Sequence, residues 1–164
     1  MLGVKIERVP YERKVTLRNL LALYQYDFSE MTRDDVNDAG FFEYKYLDHY
    51  WTDSNRFPYF ILYGGKLAGF ALVRRIFEGE KEYYSMAEFF ILRKYRRNST
   101  GIAAAGMVFN LHPGNWQLSV IEQNHKAKAF WDKTITQCCN GCEKIVIESE
   151  DGTIFSFRAC GNSV

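Results

Sequence analysis

Apolar and polar positions along the chain switch repeatedly between strand and helix periods, and the switches divide it into elements. In residues 3–9 Val4, Ile6 and Arg8 alternate with Lys5 and Glu7, which predicts a first strand ended by Pro10. From Tyr11 to Phe28, Val15, Leu17, Leu20, Leu21, Tyr24 and Phe28 follow helical spacing. The polar loop SEMTRDDVNDAG ends in Gly40, and residues 43–52, EYKYLDHYWT, read as a short aromatic helix. Pro58 starts the strand PYFILYGG, and Gly64-Gly65 turns it tightly into KLAGFALVRRI. The acidic hairpin or loop FEGEKEY leads into a strand from Tyr84 to Leu92, where alternation groups Glu88 with Met86 and Phe90. A small-residue turn, residues 98–103, then opens a helix with Ile102, Ala103, Ala105, Gly106, Val108 and Phe109 inward. His112-Pro113-Gly114 breaks it, and Asn115–Ile121 is another strand. Asn124 is a candidate N-cap for a helix carrying Ala127, Phe130, Trp131 and Ile135. Asn140-Gly141 marks a turn, and EKIVIES and TIFSFRA close the chain around Glu150-Asp151-Gly152. The order is βααβββαβαββ. It predicts an α/β (mixed α+β) fold, with a mostly antiparallel sheet flanked by helices, hairpins at 57–92 and 143–159, and crossover helices around strand 115–121.

Composition narrows the class. The 164 residues fit one domain, 1–164, and 47% apolar with 25% charged residues describes a globular chain. The net charge of +1 favours no polyanion in bulk. The basic cluster RKYRR is short, so nucleic-acid binding ranks last among the functions considered. No apolar run approaches about 20 residues, so no membrane span is expected. The first residues lack a leader-like apolar segment, which makes the cytoplasm the expected location. Cys138, Cys139, Cys142 and Cys160 are expected as free thiols. Cys139-x-x-Cys142 beside Cys138 would be half a zinc site, but only Cys160 remains for the other half, so no metal is expected.

The stretch that carries chemistry is 84–111. A strand feeds a turn, Asn98-Ser99-Thr100-Gly101-Ile102-Ala103, that opens directly into a helix. Backbone N–H groups at a helix start point outward together and carry roughly half a positive charge, so they can hold phosphates. Arg93, Lys94, Arg96 and Arg97 just before the turn add attraction for a polyanion. The plain alternative is an ordinary strand–turn–helix with one glycine.

These features together resemble the GCN5-related N-acetyltransferase (GNAT) superfamily over nearly the whole chain, and within it bacterial predicted acetyltransferases of unassigned substrate. Gly101-Ile102-Ala103 is similar to the second half of the family's Arg/Gln-x-x-Gly-x-Gly/Ala, with Asn98 standing where Arg or Gln is usual. Asn124, Ala127, Phe130 and Trp131 resemble its Asn-x-x-Ala-x-x-Phe/Leu-Tyr, and Gly69-Phe70 with Val73 its Gly-aromatic-x-x-Val. The resemblance implies acetyl transfer from acetyl-CoA to a primary amine, on a small molecule or a protein, by direct attack in a ternary complex. Pyrophosphate would rest on the amides of Asn98, Ser99, Thr100, Gly101, Ile102 and Ala103, with Arg96 and Arg97 pairing to phosphates. Pantetheine would lie between the fourth and fifth strands, against backbone at Phe90, Ile91 and Leu92. Asn124 either contacts the cofactor or only caps its helix, and His125, Lys126 and Lys128 are further candidates for CoA phosphates.

An amine nucleophile arrives protonated, so the resemblance implies a base on the fourth strand, and Glu88 is the candidate. The bland alternative is a solvated or ion-paired glutamate. Trp131 stands where the family carries a tyrosine acid. Indole is no acid–base group, so Trp131 is either part of the cofactor site or a core aromatic, and Tyr95 or water could supply the proton. A non-catalytic CoA-binding module is therefore the rival function. The resemblance places the acceptor near the loop after the first helix, where Asp27, Glu30, Asp34, Asp35, Asp38 and Glu43 oppose Arg33. That acidity suits a cationic amine, or is simply a solvated face. Tyr44, Tyr46, Tyr50 and Trp51 either line the acceptor pocket or pack the short helix. The hairpin 143–159 leaves a homodimer open, through exchange or edge pairing.

Overall fold

A computed structural model describes residues 3–139 and 141–161, so the Asn140 half of the turn expected there lies outside the described residues. Seven strands form one sheet: β1 (Val4–Arg8), β2 (Arg56–Tyr63), β3 (Lys66–Glu78), β4 (Lys81–Ile91), β5 (Gly114–Ile121), β6 (Lys144–Ser149) and β7 (Gly152–Ala159). Their spatial order is β1-β2-β3-β4-β5-β7-β6, and the β4–β5 junction is parallel while the other pairings are antiparallel. The mixed, mostly antiparallel sheet expected from the sequence is the sheet found.

Four helices cover it: α1 (Lys14–Thr32), α2 (His49–Thr52), α3 (Thr100–Leu111) and α4 (His125–Cys138). α1 follows Pro10 through a 3-10 turn at Tyr11–Arg13 and buries Leu17, Leu20 and Leu21, one stripe at helical spacing. It continues four residues past Phe28, into the segment read as loop, and stops at Arg33 in the left-handed region, whose N–H returns to Ser29 O. The aromatic helix expected over 43–52 is shorter than predicted. Only His49–Thr52 is helical, and residues 45–48 are turns. In α3 the buried set is Thr100, Ala104, Ala105, Val108 and Phe109, so Ala103, expected inward, faces solvent instead. Small residues on every side of this helix blur the stripe that periodicity relies on.

Two cores result. One lies between the sheet and α3/α4 and includes Met86, Trp116, Leu118, Val120, Trp131, Phe155 and Phe157. The other lies between the sheet and α1/α2 and is built from Leu17, Leu21, Tyr50, Phe60, Phe70, Leu72 and Phe90. No residue of β5, β6 or β7 belongs to the second core among the described residues. On that face Gln117 and Ser156 are half-buried and Ser119, Ile154 and Arg158 are exposed, so half of the sheet is bare. No described helix is long and apolar enough to cross a membrane.

Candidate active site

The parallel junction is very short. β4 pairs with β5 only at Tyr84↔Trp116 and Ser85↔Gln117, although β4 runs on to Ile91 and β5 to Ile121. Beyond these pairs the two strands diverge and leave a gap in the middle of the sheet. Backbone along the gap is unpaired on one side, which is what an extended amide-bearing ligand can use. On the α4 side the gap is backed by aromatic rings. Phe89 stacks on Phe130 at 5.8 Å between centroids and meets Trp131 edge-on at 5.0 Å.

β4 carries a bulge just at the divergence. Leu72 pairs with Glu88 and Val73 with Met86, so Ala87 is the extra residue. One inserted residue reverses the alternation, which is why Glu88 does not share a face with Met86 as strict period two predicts. Met86 points into the α3/α4 core, while Glu88 and Phe90 point to the α1/α2 side.

Glu88 is half-buried among phenols. The Tyr44 hydroxyl donates to its Oε1 at 3.2 Å, and Tyr24 of α1 packs on the same face of β4, its ring 5.7 Å from that of Phe90. Burial pushes the Glu88 pKa above the ordinary carboxylate value, and hydrogen bonds from Tyr24 and Tyr44 oppose that rise. Among the described residues Glu88 has no ion pair, so the solvated or ion-paired alternative does not describe it. Tyr24 is legible in the sequence only as a helix-face residue. Nothing in its spacing separates a core phenol from one aimed at a carboxylate.

The turn before α3 is strained. Among the described residues three non-glycine positions have positive φ, and two of them, Arg97 (70°) and Ser99 (62°), lie here. Alternating left-handed residues turn successive N–H groups to one side and make an anion-sized concavity. Gly101 is not at positive φ. Its small size serves packing: a Cβ there would stand 3.0 Å from the Phe130 ring. Asn98 Oδ1 accepts from Thr100 N at 3.4 Å and from the Thr100 hydroxyl, and so shapes the turn from within.

Arg96 and Arg97 separate. Arg96 donates from Nε to Ile91 O at 2.7 Å and from Nη2 to Asp27 at 2.8 Å, and its guanidinium lies over Phe90. It ties the turn to α1, while Arg97 stays exposed. Arg93 joins the same Asp27 at 2.7 Å. Asp27 therefore belongs to the turn's support rather than to the acidic loop. The Phe90 carbonyl lies against Gly69 and Leu92 N donates to Ala68 O, so these two face β3. By alternation Phe89 and Ile91 present their backbone to the gap. Asn124 accepts from Ala127 N at 3.1 Å, so the structure shows its cap. Lys128 pairs with Glu148 at 2.6 Å. Trp131 is 6% exposed, a core aromatic. Tyr95 packs on Tyr63 of β2 and is turned away from the gap. Of the cysteines, only Cys142 and Cys160 meet among the described residues, with sulfurs 3.2 Å apart.

With this geometry in place the family can be assigned, because residues 18–135 match the model of the Acetyltransferase (GNAT) family. The chain belongs to the GNAT family. Its fold is shared with solved acetyltransferases at low identity. The aminoglycoside acetyltransferase AAC(6')-Ib in complex with coenzyme A aligns at TM-score 0.65 and 12% identity, over 96% of this chain and 95% of that one. An acetyltransferase from Thermus thermophilus aligns at 0.65 and 16%, over 97% and 98%. The aminoglycoside acetyltransferase meta-AAC0020 from an uncultured soil metagenomic sample, in complex with sisomicin, aligns at 0.59 and 17%, over 80% and 86%. No curated protein matches by sequence.

Proposed function

We propose that this GNAT protein moves an acetyl group from acetyl-CoA to a primary amine by direct attack within a ternary complex. The observation that carries the reading is the convergence at one place of three features: the β4–β5 gap, the strained turn before α3, and a half-buried carboxylate without an ion pair among the described residues. The amides of residues 98–103 would hold pyrophosphate at the helix start, with exposed Arg97 beside them and Arg96 bracing the turn. Phe89 and the Ile91 N–H would offer backbone to the pantetheine arm, over the Phe130 and Trp131 rings, the Ile91 carbonyl being taken by Arg96. The thioester brings the activated acyl group, and the protein contributes position and proton handling.

Glu88 takes a proton from the incoming ammonium, so that the neutral amine can attack the acyl carbon. Its raised pKa makes it a better base than a surface carboxylate. Trp131 cannot return a proton to the departing thiolate. At neutral pH a CoA thiolate needs little assistance, so water suffices there.

A cationic acceptor fits the neighbouring surface. A pocket of about 400 Å³ beside α1 is lined by Gln25, Asp34, Asp35, Asn37 and Glu43, next to Tyr44. The bare half of the sheet adds an open groove of about 1010 Å³ with Tyr83, Asn115, Gln117, Ser156 and Arg158 on its walls. Aminoglycosides, carried by structural neighbours, are polyamines of this charge type. The rival reading, a CoA-binding module without turnover, draws on Trp131 and on the imperfect phosphate motif, in which Asn98 stands where Arg or Gln is usual.

Isothermal titration with acetyl-CoA tests the reading first. Saturable binding, weakened in Arg97→Ala, is expected, followed by thiol release when amines are supplied. Glu88→Gln should keep the affinity and lose most of the turnover. No binding at millimolar acetyl-CoA sinks the proposal. Binding without thiol release from any amine favours the rival.

A further inference from the structure

We propose that Tyr24 and Tyr44 are positioning residues for Glu88, holding its carboxylate ionised and oriented toward the acceptor side. This rests on Glu88 being the base. The starting point is a problem of electrostatics. A carboxylate buried away from water, with no donors, keeps its proton at neutral pH and accepts nothing. A carboxylate paired with arginine has the opposite defect, because the cation lowers its basicity by holding the charge. Phenol donors lie between these limits. They stabilise the anion by hydrogen bonding without bringing a full positive charge.

The surroundings of Glu88 have this composition. From α1 comes Tyr24, from the connection before α2 Tyr44, and from α2 Tyr50. β3 contributes Leu72 directly opposite, and Arg74 two residues further along the same face. Arg56 of β2 is paired with Asp53. Arg74 has no ion pair among the described residues. What offsets the burial of Glu88 is therefore the pair of phenols. Burial and the Glu88 charge both push the Tyr24 and Tyr44 hydroxyls upward, so they stay protonated and remain donors throughout the working pH range.

The proton balance is simple. The substrate ammonium gives one proton to Glu88 and becomes a neutral amine; Glu88 becomes a neutral acid; both tyrosines keep their protons. Tyr24 and Tyr44 also come from the two segments that border the acidic pocket, α1 and the loop carrying Glu43. Docking of that loop and readiness of the base are thus linked through one hydrogen-bonded group.

The test is a set of Tyr24→Phe, Tyr44→Phe and double variants, which keep the rings and remove only the hydroxyls. Glu88 is titrated by NMR on protein carrying carboxyl-labelled glutamate, with its signal assigned through Glu88→Gln, and thermal melts check that each variant is folded. In parallel the acid limb of kcat/KM is followed with a turned-over amine. Each single variant should move the Glu88 midpoint up by about half a pH unit or more, and the double variant further. The acid limb should move by the same amount, and activity lost at neutral pH should return at higher pH. An unchanged midpoint in folded single and double variants overturns the proposal. So does a fall in turnover that no increase in pH repairs. If Glu88→Gln retains full turnover, the base assignment fails while the titration still reports whether the phenols hold the carboxylate.

Discussion

His112 gives the protein a stability term that acid should remove. It sits where α3 ends, 6% exposed, with Nε2 2.7 Å from the Tyr59 hydroxyl and the rings of Phe57 and Tyr84 at 4.6 and 4.8 Å. Burial lowers its pKa from 6.5 to about 4, and Arg8 nearby pushes in the same direction. The sign follows from linkage. The folded value lies below the unfolded one, so between these values the unfolded chain binds the extra proton. The contribution is present above the unfolded pKa and is lost as pH falls toward the folded one. With those two values the loss between pH 7 and pH 5 is about 2 kcal/mol, and about 3 kcal/mol by pH 4. For a chain of this size, 2 kcal/mol corresponds to a fall of about 4–8 °C in Tm. His112→Gln is the perturbation, since the amide keeps a partner for Tyr59 without titrating. Urea melts of both proteins at pH 7, 6, 5 and 4 provide the assay. The variant should be less stable at pH 7, and the difference should shrink as pH falls. If wild type loses no more stability than the variant between pH 7 and pH 5, the buried neutral imidazole is not the acid-sensitive group.

Tyr50 is 1% exposed and its hydroxyl has no hydrogen-bond partner among the described residues, so Tyr50→Phe should stabilise the protein by about 1–2 kcal/mol in a urea melt. Burial raises the Asp27 carboxyl, but hydrogen bonds from Arg96 and Arg93 outweigh it and hold its pKa below the usual value. Its contribution is present above the unfolded pKa and is lost as pH falls through the lower folded one. Asp27→Asn should therefore lower Tm at neutral pH and flatten the loss below about pH 4. Gly101→Ala adds a methyl against the Phe130 ring while improving helix propensity by about 1 kcal/mol, so Tm should shift by under about 4 °C. The displaced ring backs the gap, and calorimetry should show acetyl-CoA affinity falling about tenfold or more.

The order of strands and helices was legible because it rests on period and on strong stops. Pro10, Gly64-Gly65 and the His112-Pro113-Gly114 break all fall where elements end. What could not be read was set by tertiary contact. The bulge at Ala87 leaves no mark in an apolar–polar string, since YYSMAEFFI alternates poorly with or without an insertion. The left-handed Arg97 and Ser99 defy local preference, and only the surrounding fold holds them there. Arg96 was legible as a cation near phosphates. Its use as a brace depends on Asp27, 69 residues away in sequence. Glycine signalled the turn correctly but for a different cause, because Gly101 is small to admit Phe130 rather than to adopt a special φ.

The bulge and the gap make sense together. β4 is paired with β3 along its whole length, yet only two of its residues pair with β5, so its last half has one free backbone edge. A regular strand there would place alternate side chains on each face and send residue 88 into the core beneath α3 and α4. The extra residue at Ala87 sends Glu88 to the opposite face, among the tyrosines, while Phe89 fills the α4 side and meets Phe130 and Trp131. One strand thus serves both partners of the proposed reaction: free backbone and an aromatic backing for the donor, and a half-buried base for the acceptor. Deleting Ala87 should make the pairing with β3 regular and keep Glu88 opposite Leu72, so it removes the local bend of the strand without moving the base to the other face. That variant should lose acetyl-CoA affinity as well as turnover, whereas Glu88→Gln should lose turnover alone, and titration calorimetry of the two distinguishes the bulge's contribution to the gap from that of the base.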